Sequence, residues 1–325
     1  MTTVEPSAAT IVVPVRDEAA TVDALASSIG AQVATPAAVV FVDGGSLDDT
    51  VARLHRWTSA RPSWHVIEAG PATPGRGRNL GVEHATTPWI AFADAGTTLD
   101  PHWLARLLDA ASADGDVELV FGHFDQRGRS FVARCAALTY LPAPRRTDRG
   151  PVRDRSMSCS LLRKDAWARA GGFPDLRAAE DSIFLRRLQT LDVKEAVAPE
   201  ARAIGAIEPT LRGTFRKFRM YSRVNVEAGE QARWHHGVAR QWLVAAPFLI
   251  IGLRHRRVLA LPALAFAARA GRSIAARREG RSAWFVVNPA RVAGVGAVIL
   301  TCDLATFAGW YDALRDRRRV RAVRG

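Results

Sequence analysis

The strongest constraint on the fold is a regular alternation of β-rich runs and helical patterns in the first 113 residues. Four runs of apolar and β-branched residues are interpreted as buried strands, at 10–15, 38–42, 64–68 and 89–93. Helical patterns follow these runs at 19–33, 48–57, 75–85 and 101–113. Strands that alternate with helices predict βαβ units and a mainly parallel sheet flanked by helices. Ligands bind such sheets at the carboxyl ends of the strands, so the loops there are the first candidates for a site.

The rest of the chain has a different character. Residues 122–158 are rich in Arg, Gly and Pro and are interpreted as loops with one short helix, and helices are predicted at 164–170, 179–191 and 214–233. Three apolar stretches follow at 242–253, 258–268 and 292–314; the first two are shorter than the roughly 20 residues that span a bilayer, and the third contains Asp303. They fit either a helical core subdomain or a membrane-associated region. Clusters of Arg and Trp beside them favour the membrane.

Charge divides the chain in the same way. Residues 1–200 hold 22 Lys and Arg against 25 Asp and Glu, whereas residues 201–325 hold 23 against 7. A uniform nucleic-acid binder would not have this distribution, but a catalytic domain followed by a region that meets an anionic surface would. The sequence therefore predicts a catalytic domain at 1–205, a basic helical extension at 206–240 that completes the site, and an apolar and basic helical region at 241–325. No nucleic-acid partner is expected.

The cysteines and the N-terminus bear on the compartment. Three widely spaced cysteines, out of 325 residues, form neither a disulfide framework nor a zinc-binding pattern, which favours a reducing compartment. The N-terminal segment has no basic region followed by an apolar one, so no signal peptide is predicted. The basic C-terminal stretch 315–325 suits anionic lipid headgroups or is a solvated tail.

Four loops carry the candidate chemistry. They contain Pro14-Val15-Arg16-Asp17-Glu18, then Asp43-Gly44-Gly45-Ser46 with Leu47-Asp48-Asp49-Thr50, then Gly75-Arg76-Gly77-Arg78-Asn79-Leu80-Gly81, then Asp94-Ala95-Gly96. Any one of them alone could be a turn or a helix cap. All four in this order, each at the end of a strand or the start of a helix, are expected to converge at one edge of the sheet.

These loops resemble the motifs of the family 2 glycosyltransferases, which have the GT-A fold. A fifth element, Gly171-Gly172-Phe173-Pro174 followed by Glu180-Asp181, is similar to the acceptor-side signature of that family. The resemblance covers about residues 8–200 and leaves the sugar undetermined. It implies a GT-A-type sheet flanked by helices, followed here by an all-helical, membrane-associated region.

The resemblance implies contacts to a nucleotide diphosphate sugar. Asp43 would accept the ring N–H of uracil or guanine, and Arg78 would bring a fixed charge to the diphosphate or the base. Gly75 and Gly77 would let the backbone approach the nucleotide. The full set of expected donor-binding residues is Pro14, Arg16, Glu18, Asp43, Arg78, Asn79 and Asp94.

The resemblance also implies a divalent cation, Mg²⁺ or Mn²⁺, at Asp94, because hard cations prefer oxygen ligands. This chain departs from the family's D-x-D pattern, since Gly96 stands where the second acid is usual. His235 or His236 is a candidate remote ligand. Two adjacent helical residues point about 100° apart, so at most one of them would ligate.

Asp181 is the candidate general base, with Glu180 beside it. A neighbouring acid raises the pKa of a carboxylate, which suits a base that takes the proton of an attacking hydroxyl. The same pair could instead be an acidic helix N-terminus. Direct displacement would invert the anomeric centre.

The basic segment 212–223 places four arginines at helical spacing, either to contact phosphate or as a solvated face. The resulting prediction is an inverting hexosyltransferase at the cytoplasmic face of the cell membrane. Its acceptor would be a lipid-linked or envelope-glycan hydroxyl. The alternatives are a catalytically inactive nucleotide-sugar-binding membrane scaffold and a nucleotidyltransferase on a related fold. The latter would need glycine and lysine in the first loop, which has neither.

Overall fold

The computed structural model describes residues 4–147, 150–153 and 155–324, with the side chains of 150, 151 and 317–324 left out. The chain divides into two compact units. The first consists of Met1–Gln126 and Pro144–Ala206, and the second of Arg127–Ala143 and Ile207–Gly325.

The described strands belong to the first unit, apart from the last residue of β6. They are β1 (Ala9–Val15), β2 (Ala38–Asp43), β3 (Trp64–Glu68), β4 (Trp89–Ala93), β5 (Thr97–Leu99), β6 (Leu119–Arg127), β7 (Arg145–Thr147), β8 (Gly150–Val152), β9 (Cys159–Arg163) and β10 (Glu195–Ala206). Eight of them form one sheet in the order β3-β2-β1-β4-β9-β6-β10-β5, and β7 pairs with β8.

The main sheet is parallel in one half and antiparallel in the other. Strands β3, β2, β1 and β4 are parallel neighbours. Strand β9 is antiparallel to both β4 and β6, and β5 is antiparallel to β10. The parallel half confirms the βαβ units predicted from the sequence, while the whole sheet is mixed.

Helices flank this sheet. They are α1 (Val22–Gly30), α2 (Thr50–Ser59), α3 (Pro74–His84), α4 (Trp103–Ser112), α6 (Lys164–Arg169) and α7 (Glu180–Thr190), and α5 (Phe131–Tyr140) lies in the second unit. Two buried clusters fill the first unit. One joins β1 and β2 to α1 and α4 around Leu25, Phe41 and Trp103, and the other joins β4 and β9 to α7 around Phe92, Leu162 and Phe184.

The prediction for residues 122–158 was wrong in part. Strand β6 continues to Arg127, and the hairpin of β7 and β8 lies within the stretch interpreted as loops. The short helix predicted there is α5, whose N-cap Ser130 accepts a 2.9 Å hydrogen bond from the backbone N–H of Ala133. Strand β6 was not predicted from the sequence, because only its first half is apolar and the stretch that follows is rich in arginine and glycine.

The second unit is helical. Besides α5 it contains α8 (Leu211–Glu227), α9 (His235–Gly252), α10 (Ala260–Ala276), α11 (Ala283–Val287) and α12 (Pro289–Arg324). Two arginines of the basic segment are paired within this unit: Arg219 Nε lies 2.6 Å from Asp312 Oδ2, and Arg223 Nη2 lies 3.1 Å from Asp316 Oδ2. The basic face of α8 is therefore partly neutralised by α12 and is not simply solvated.

Among the described residues, two helical segments have the length and apolar composition needed to cross a membrane, Arg256–Ala276 with mean hydropathy 1.3 and Pro289–Asp316 with mean hydropathy 1.7. The first is 21 residues long, so the length limit inferred from residues 258–268 alone was wrong. Asp303 is 2% exposed. It pairs with Arg269 at 2.5 and 2.9 Å and accepts a 2.9 Å hydrogen bond from Trp242 Nε1. The negative charge of Asp303, inside one apolar helix, is thus compensated by Arg269 of the other candidate membrane segment. The C-terminal side chains from 317 on lie outside the described residues.

Candidate active site

Three parallel strands bring the predicted loops to one edge of the sheet. Strand β2 ends at Asp43, which is in register with Val15 at the end of β1. Strand β4, on the other side of β1, ends at Ala93 and is followed by Asp94. The carboxyl ends of β2, β1 and β4 therefore lie side by side, as the strand pattern predicted.

The carboxylate of Asp43 shapes its own loop. It is 3% exposed and accepts hydrogen bonds from the backbone N–H groups of Gly45 at 2.9 Å and Ser46 at 3.0 Å, and from the Ser46 hydroxyl at 2.5 Å. Gly45 has φ +81, a left-handed conformation that glycine adopts without strain. Much of the acceptor capacity of Asp43 is used in this turn, and its contact with a nucleotide base stays a prediction.

The first loop packs against the start of α3. A Cβ on Gly77 would lie 3.2 Å from the Cβ of Pro14, so the absence of a side chain at Gly77 permits this close approach. Arg16 is exposed, and its Nε lies 3.6 Å from the carboxylate of Asp17. The Glu18 carboxylate accepts a short hydrogen bond from the Thr21 hydroxyl. Arg16 thus presents a charged side chain to solvent at this edge, whereas the carboxylate of Glu18 is half-buried.

Arg78 lies at the centre of the site. Its Nη2 lies 2.7 Å from Asp94 Oδ1 and its Nη1 lies 2.8 Å from Glu180 Oε1, and the residue is 3% exposed. The guanidinium also lies over the ring of Phe173, 5.5 Å from the centroid. Burial disfavours the charged form, but the Asp94 and Glu180 carboxylates outweigh it and raise the pKa of Arg78 above its ordinary value. Arg78 is thus a buried cation that joins Asp94, after β4, to Glu180, at the start of α7.

Asp94 is held on both oxygens. Arg78 contacts Oδ1, and the hydroxyl of Ser158 donates a short hydrogen bond to Oδ2. Ser158 is 8% exposed and immediately precedes β9. The side chain of Asp94 is 34% exposed, so its orientation is fixed while one side stays accessible. Ser158 could not be predicted from the sequence, because a serine before an antiparallel strand has no distinguishing pattern.

Asn79 fastens α3 to the turn that precedes α7. Its Oδ1 accepts hydrogen bonds from Phe173 N at 2.8 Å and Trp167 Nε1 at 3.1 Å, and its Nδ2 donates to Phe173 O at 2.8 Å. Both glycines of the turn have positive φ, +72 at Gly171 and +69 at Gly172. The Asn79 amide is therefore committed to the fold, and a direct contact between Asn79 and the nucleotide stays a prediction.

The acid pair begins helix α7. Glu180 is 7% exposed and points to Arg78, whereas Asp181 is half-buried and accepts a 2.7 Å hydrogen bond from the backbone N–H of Ser182. Burial raises the pKa of Glu180, and the nearby Arg78 opposes that rise. The two adjacent acids thus have different environments, with Glu180 engaged in an ion pair and Asp181 accessible.

The residues near Asp94 fit a divalent cation. In the described parts of the chain no three His, Cys, Asp or Glu side chains form a cluster that could hold a metal by themselves. Mg²⁺ needs only one or two protein carboxylates where substrate phosphates supply the other oxygens. Asp94 and Glu18 provide two hard oxygen donors. At Gly96, a Cβ would lie 3.4 Å from Glu18 Oε2.

The two candidate histidines lie in the second unit. The His235 ring is 0% exposed, and its Nε2 lies 2.8 Å from the Ser222 hydroxyl. That hydroxyl donates to the Thr306 carbonyl at 2.7 Å, so it accepts its other hydrogen bond from His235 Nε2–H. The His236 ring lies 6.2 Å from the ring of Trp310. A role for either histidine toward a cation stays a prediction.

The fold and this edge of the sheet define a class, an α/β protein of the GT-A type with acidic and basic side chains collected at the carboxyl ends of its parallel strands. The chain is similar to the mannosyltransferase PcManGT from Pyrobaculum calidifontis in complex with GDP-Man and Mn²⁺, with a TM-score of 0.56 and 19% identity over 96% of this chain and 89% of that one. A second similar structure is S. aureus TarS 1-349 in complex with UDP, with a TM-score of 0.47 and 14% identity over 92% and 90% of the two chains. At 19% identity the first similarity establishes the fold.

A sequence comparison adds to this similarity of fold. Residues 10–169 match the model described as glycosyl transferase family 2, a range that includes all four loops. No curated protein matches the chain. The match shows that this segment, just under half of the chain, is similar to the family 2 glycosyltransferases. Whether the Asp94-Ala95-Gly96 motif defines a subgroup stays a prediction.

Proposed function

We propose that this protein transfers a hexosyl group from a nucleotide diphosphate sugar to a hydroxyl acceptor at the cytoplasmic face of a membrane, with inversion of the anomeric centre. The observation that carries the proposal is the buried Arg78, which contacts Asp94 at 2.7 Å and Glu180 at 2.8 Å. This contact supports the proposal, because Arg78 and Asp94 would hold the donor diphosphate while the acid pair Glu180 and Asp181 would activate the acceptor. Both sets would serve a single reaction centre.

The donor would bind across the carboxyl ends of β2, β1 and β4. Asp43 and its loop would face the nucleoside, with Pro14 and Arg16 beside it. Asp94 would hold a divalent cation, which when bound supplies the positive charge that stabilises the leaving nucleoside diphosphate. The presence of GDP-Man and Mn²⁺ in the PcManGT complex supports this choice of donor class and cation.

Asp181 would act as the general base. Its carboxylate is accessible, unlike that of Glu180, and Oδ1 is oriented by the Ser182 N–H at 2.7 Å. As the acceptor oxygen attacks the anomeric carbon, Asp181 would take the hydroxyl proton while the bond to the diphosphate breaks on the opposite face. Glu180 would be a positioning residue, since Arg78 holds it against the donor side.

The acceptor would be lipid-linked or membrane-proximal, such as an envelope glycan. Supporting this, the segments Arg256–Ala276 and Pro289–Asp316 have the length and composition of membrane helices. Several large apolar side chains of α9 and α10 are exposed, including Leu243, Ile250, Leu261 and Leu264. An enzyme anchored in this way meets an acceptor that is confined to the same surface.

The test uses the full-length chain in detergent with GDP and UDP as probes, with EDTA or with Mn²⁺. Binding of one nucleotide should raise the unfolding temperature, more so with Mn²⁺, and the matching nucleotide sugar should release nucleoside diphosphate. If neither nucleotide binds, the proposal fails. Binding with no release, with or without candidate acceptors, would favour the inactive scaffold, for which the replacement of the second acid by Gly96 is the specific support.

A further inference from the structure

The backbone at Gly96 directs its missing side chain toward Glu18. Gly96 has φ +74, and a Cβ placed there would lie 3.4 Å from Glu18 Oε2 and 3.8 Å from Oε1. The family pattern puts its second acid at position 96. In this chain the carboxylate of Glu18, from the loop after β1, lies in front of that position.

The Glu18 carboxylate is only partly satisfied by the protein. Oε2 accepts the hydrogen bond from Thr21, and among the described residues no donor is recorded for Oε1 and no Lys, Arg or His forms an ion pair with Glu18. Its charged neighbours are carboxylates, those of Asp94, Asp48 and Asp17. A half-buried carboxylate among like charges is unfavourable unless a cation joins it.

Asp94, by contrast, is fixed in place. Arg78 takes Oδ1 and Ser158 takes Oδ2, so the carboxylate keeps one orientation and only its remaining lone pairs are available. A single carboxylate already shared with a guanidinium is a weak anchor for a divalent ion. A second oxygen donor is needed at this edge, and Glu18 is the carboxylate next to it.

We propose that Glu18 is the second protein ligand of the divalent cation and replaces the acid that Gly96 lacks. The glycine suits this arrangement, because its φ of +74 favours a residue without a Cβ and leaves the space in front of the Glu18 carboxylate open. This inference rests on the proposed function, since the remaining oxygens would come from the nucleoside diphosphate and water. It assigns to Glu18 a role in holding the cation in place of a contact with the nucleoside.

The test measures how strongly Mn²⁺ tightens nucleotide binding. Calorimetry gives the dissociation constant of GDP or UDP, whichever the wild-type chain binds, in EDTA and in Mn²⁺. The ratio of the two constants should fall about tenfold or more in Glu18→Gln, at least the loss seen when residues that support metal ligands are changed. The constant in EDTA should not weaken. Glu83→Gln, which alters an exposed carboxylate of α3, should leave the ratio unchanged.

A second variant tests whether the loss of the Mn²⁺ effect in Glu18→Gln comes from the missing carboxylate and not from misfolding. In Glu18→Gln/Gly96→Asp the acid returns to its usual position, and Asp is among the residues that tolerate positive φ best. The ratio should recover much of its wild-type value. The unfolding temperature of each variant in EDTA should stay near that of the wild type, which shows that Glu18→Gln folds.

The outcomes distinguish an error in the assignment of Glu18 from an error in the proposed function. If Glu18→Gln keeps the wild-type ratio, or if Gly96→Asp fails to restore any of it, the assignment of Glu18 is wrong while the proposed function stands. If Asp94→Asn also keeps the ratio, the location of the cation is wrong. A wild-type chain that binds neither nucleotide overturns the proposed function and this inference with it.

Discussion

Nη1 of Arg78 lies 2.8 Å from Glu180 Oε1, although the two residues are 102 positions apart in the chain. Both are buried, so each depends on the other for compensation of its charge. Removing one member of a buried ion pair costs more than the pair contributes, because it leaves an unpaired charge out of water. The pair therefore links helix α3 to the start of helix α7 within the first unit.

Arg78→Leu should lower the free energy of unfolding by about 3–5 kcal/mol, since it leaves Glu180 and Asp94 without their cation. The matched control is Arg169→Leu, because Arg169 also pairs with a glutamate at 2.7 Å but is 44% exposed. That exposed pair should contribute at most about 1 kcal/mol. Equilibrium unfolding of both variants checks the difference, and equal losses would contradict the role of Arg78.

Asp181→Asn should reduce sugar transfer by roughly 10²–10⁴-fold, the usual contribution of a general base. Asparagine keeps the hydrogen bond to the Ser182 N–H but cannot take a proton. Nucleotide affinity should stay within about twofold of wild type, because Asp181 is placed on the acceptor side. Transfer rates and calorimetric nucleotide binding measure the two effects. A parallel loss of binding would mean that Asp181 holds the donor and is not the base.

Gly75→Ala should disturb the site by displacing the turn that precedes α7. A Cβ on Gly75 would lie 2.0 Å from the Pro174 carbonyl oxygen and 3.3 Å from the Cβ of Glu180. The turn before α7 would have to move, at a cost of about 1–3 kcal/mol. Gly115→Ala is the control, because nothing lies within 4 Å of its Cβ position, and it should change stability by less than about 0.5 kcal/mol. Unfolding temperature and transfer rate should fall together in the first variant only.

The parallel half of the sheet could be predicted from sequence because its strands are continuous apolar runs. Residues 64–68 and 89–93 were placed without error as Trp64–Glu68 and Trp89–Ala93. Strand β10 was missed. Most of its residues are Ala or charged residues around Pro199, and Val197 and Ile204 are its two β-branched residues, so its β signal is weak. Small buried side chains such as Ala201 and Ala203 pack in the core of the first unit.

The sequence was sufficient to name the residues of the site, but not the contacts that each of them makes. Asp43, Arg78, Asn79, Asp94 and Glu180 were all named from the sequence, but the partners of Asn79 and Glu180 are nearly a hundred residues away. Spacing along the chain does not reveal such pairs. Ser158 was missed for the same reason, since only the folded chain brings its hydroxyl to Asp94.

The exposed apolar side chains of α10 should bind a lipid bilayer. Leu261 is 56% and Leu264 67% exposed, so Leu261→Asp/Leu264→Asp alters the surface without emptying a core. The double variant should float with anionic liposomes to a much lower extent than wild type, because each aspartate costs several kcal/mol in hydrocarbon. Leu47→Asp, in the first unit and 92% exposed, should float like wild type. Equal flotation of all three proteins would contradict membrane binding through α10.

His235 should make the stability of the second unit depend on pH. Burial lowers the pKa of His235 below its ordinary value; His236 adds to this, while the hydrogen bond with Ser222 opposes it. The rings of Trp234 and Trp310 lie 5.1 and 5.3 Å from the imidazole, and its Nδ1 is buried with no partner in the described chain. The folded state therefore favours the neutral ring. As the pH falls below about 6.5, the unfolded chain binds a proton that the folded chain does not, so stability is lost on acidification and is fully present at higher pH.

His235→Phe should reduce the fall in unfolding temperature between pH 7.5 and 5.5, whereas His102→Gln, at an exposed histidine, should leave it unchanged. A wild-type slope in His235→Phe would mean that another group is responsible.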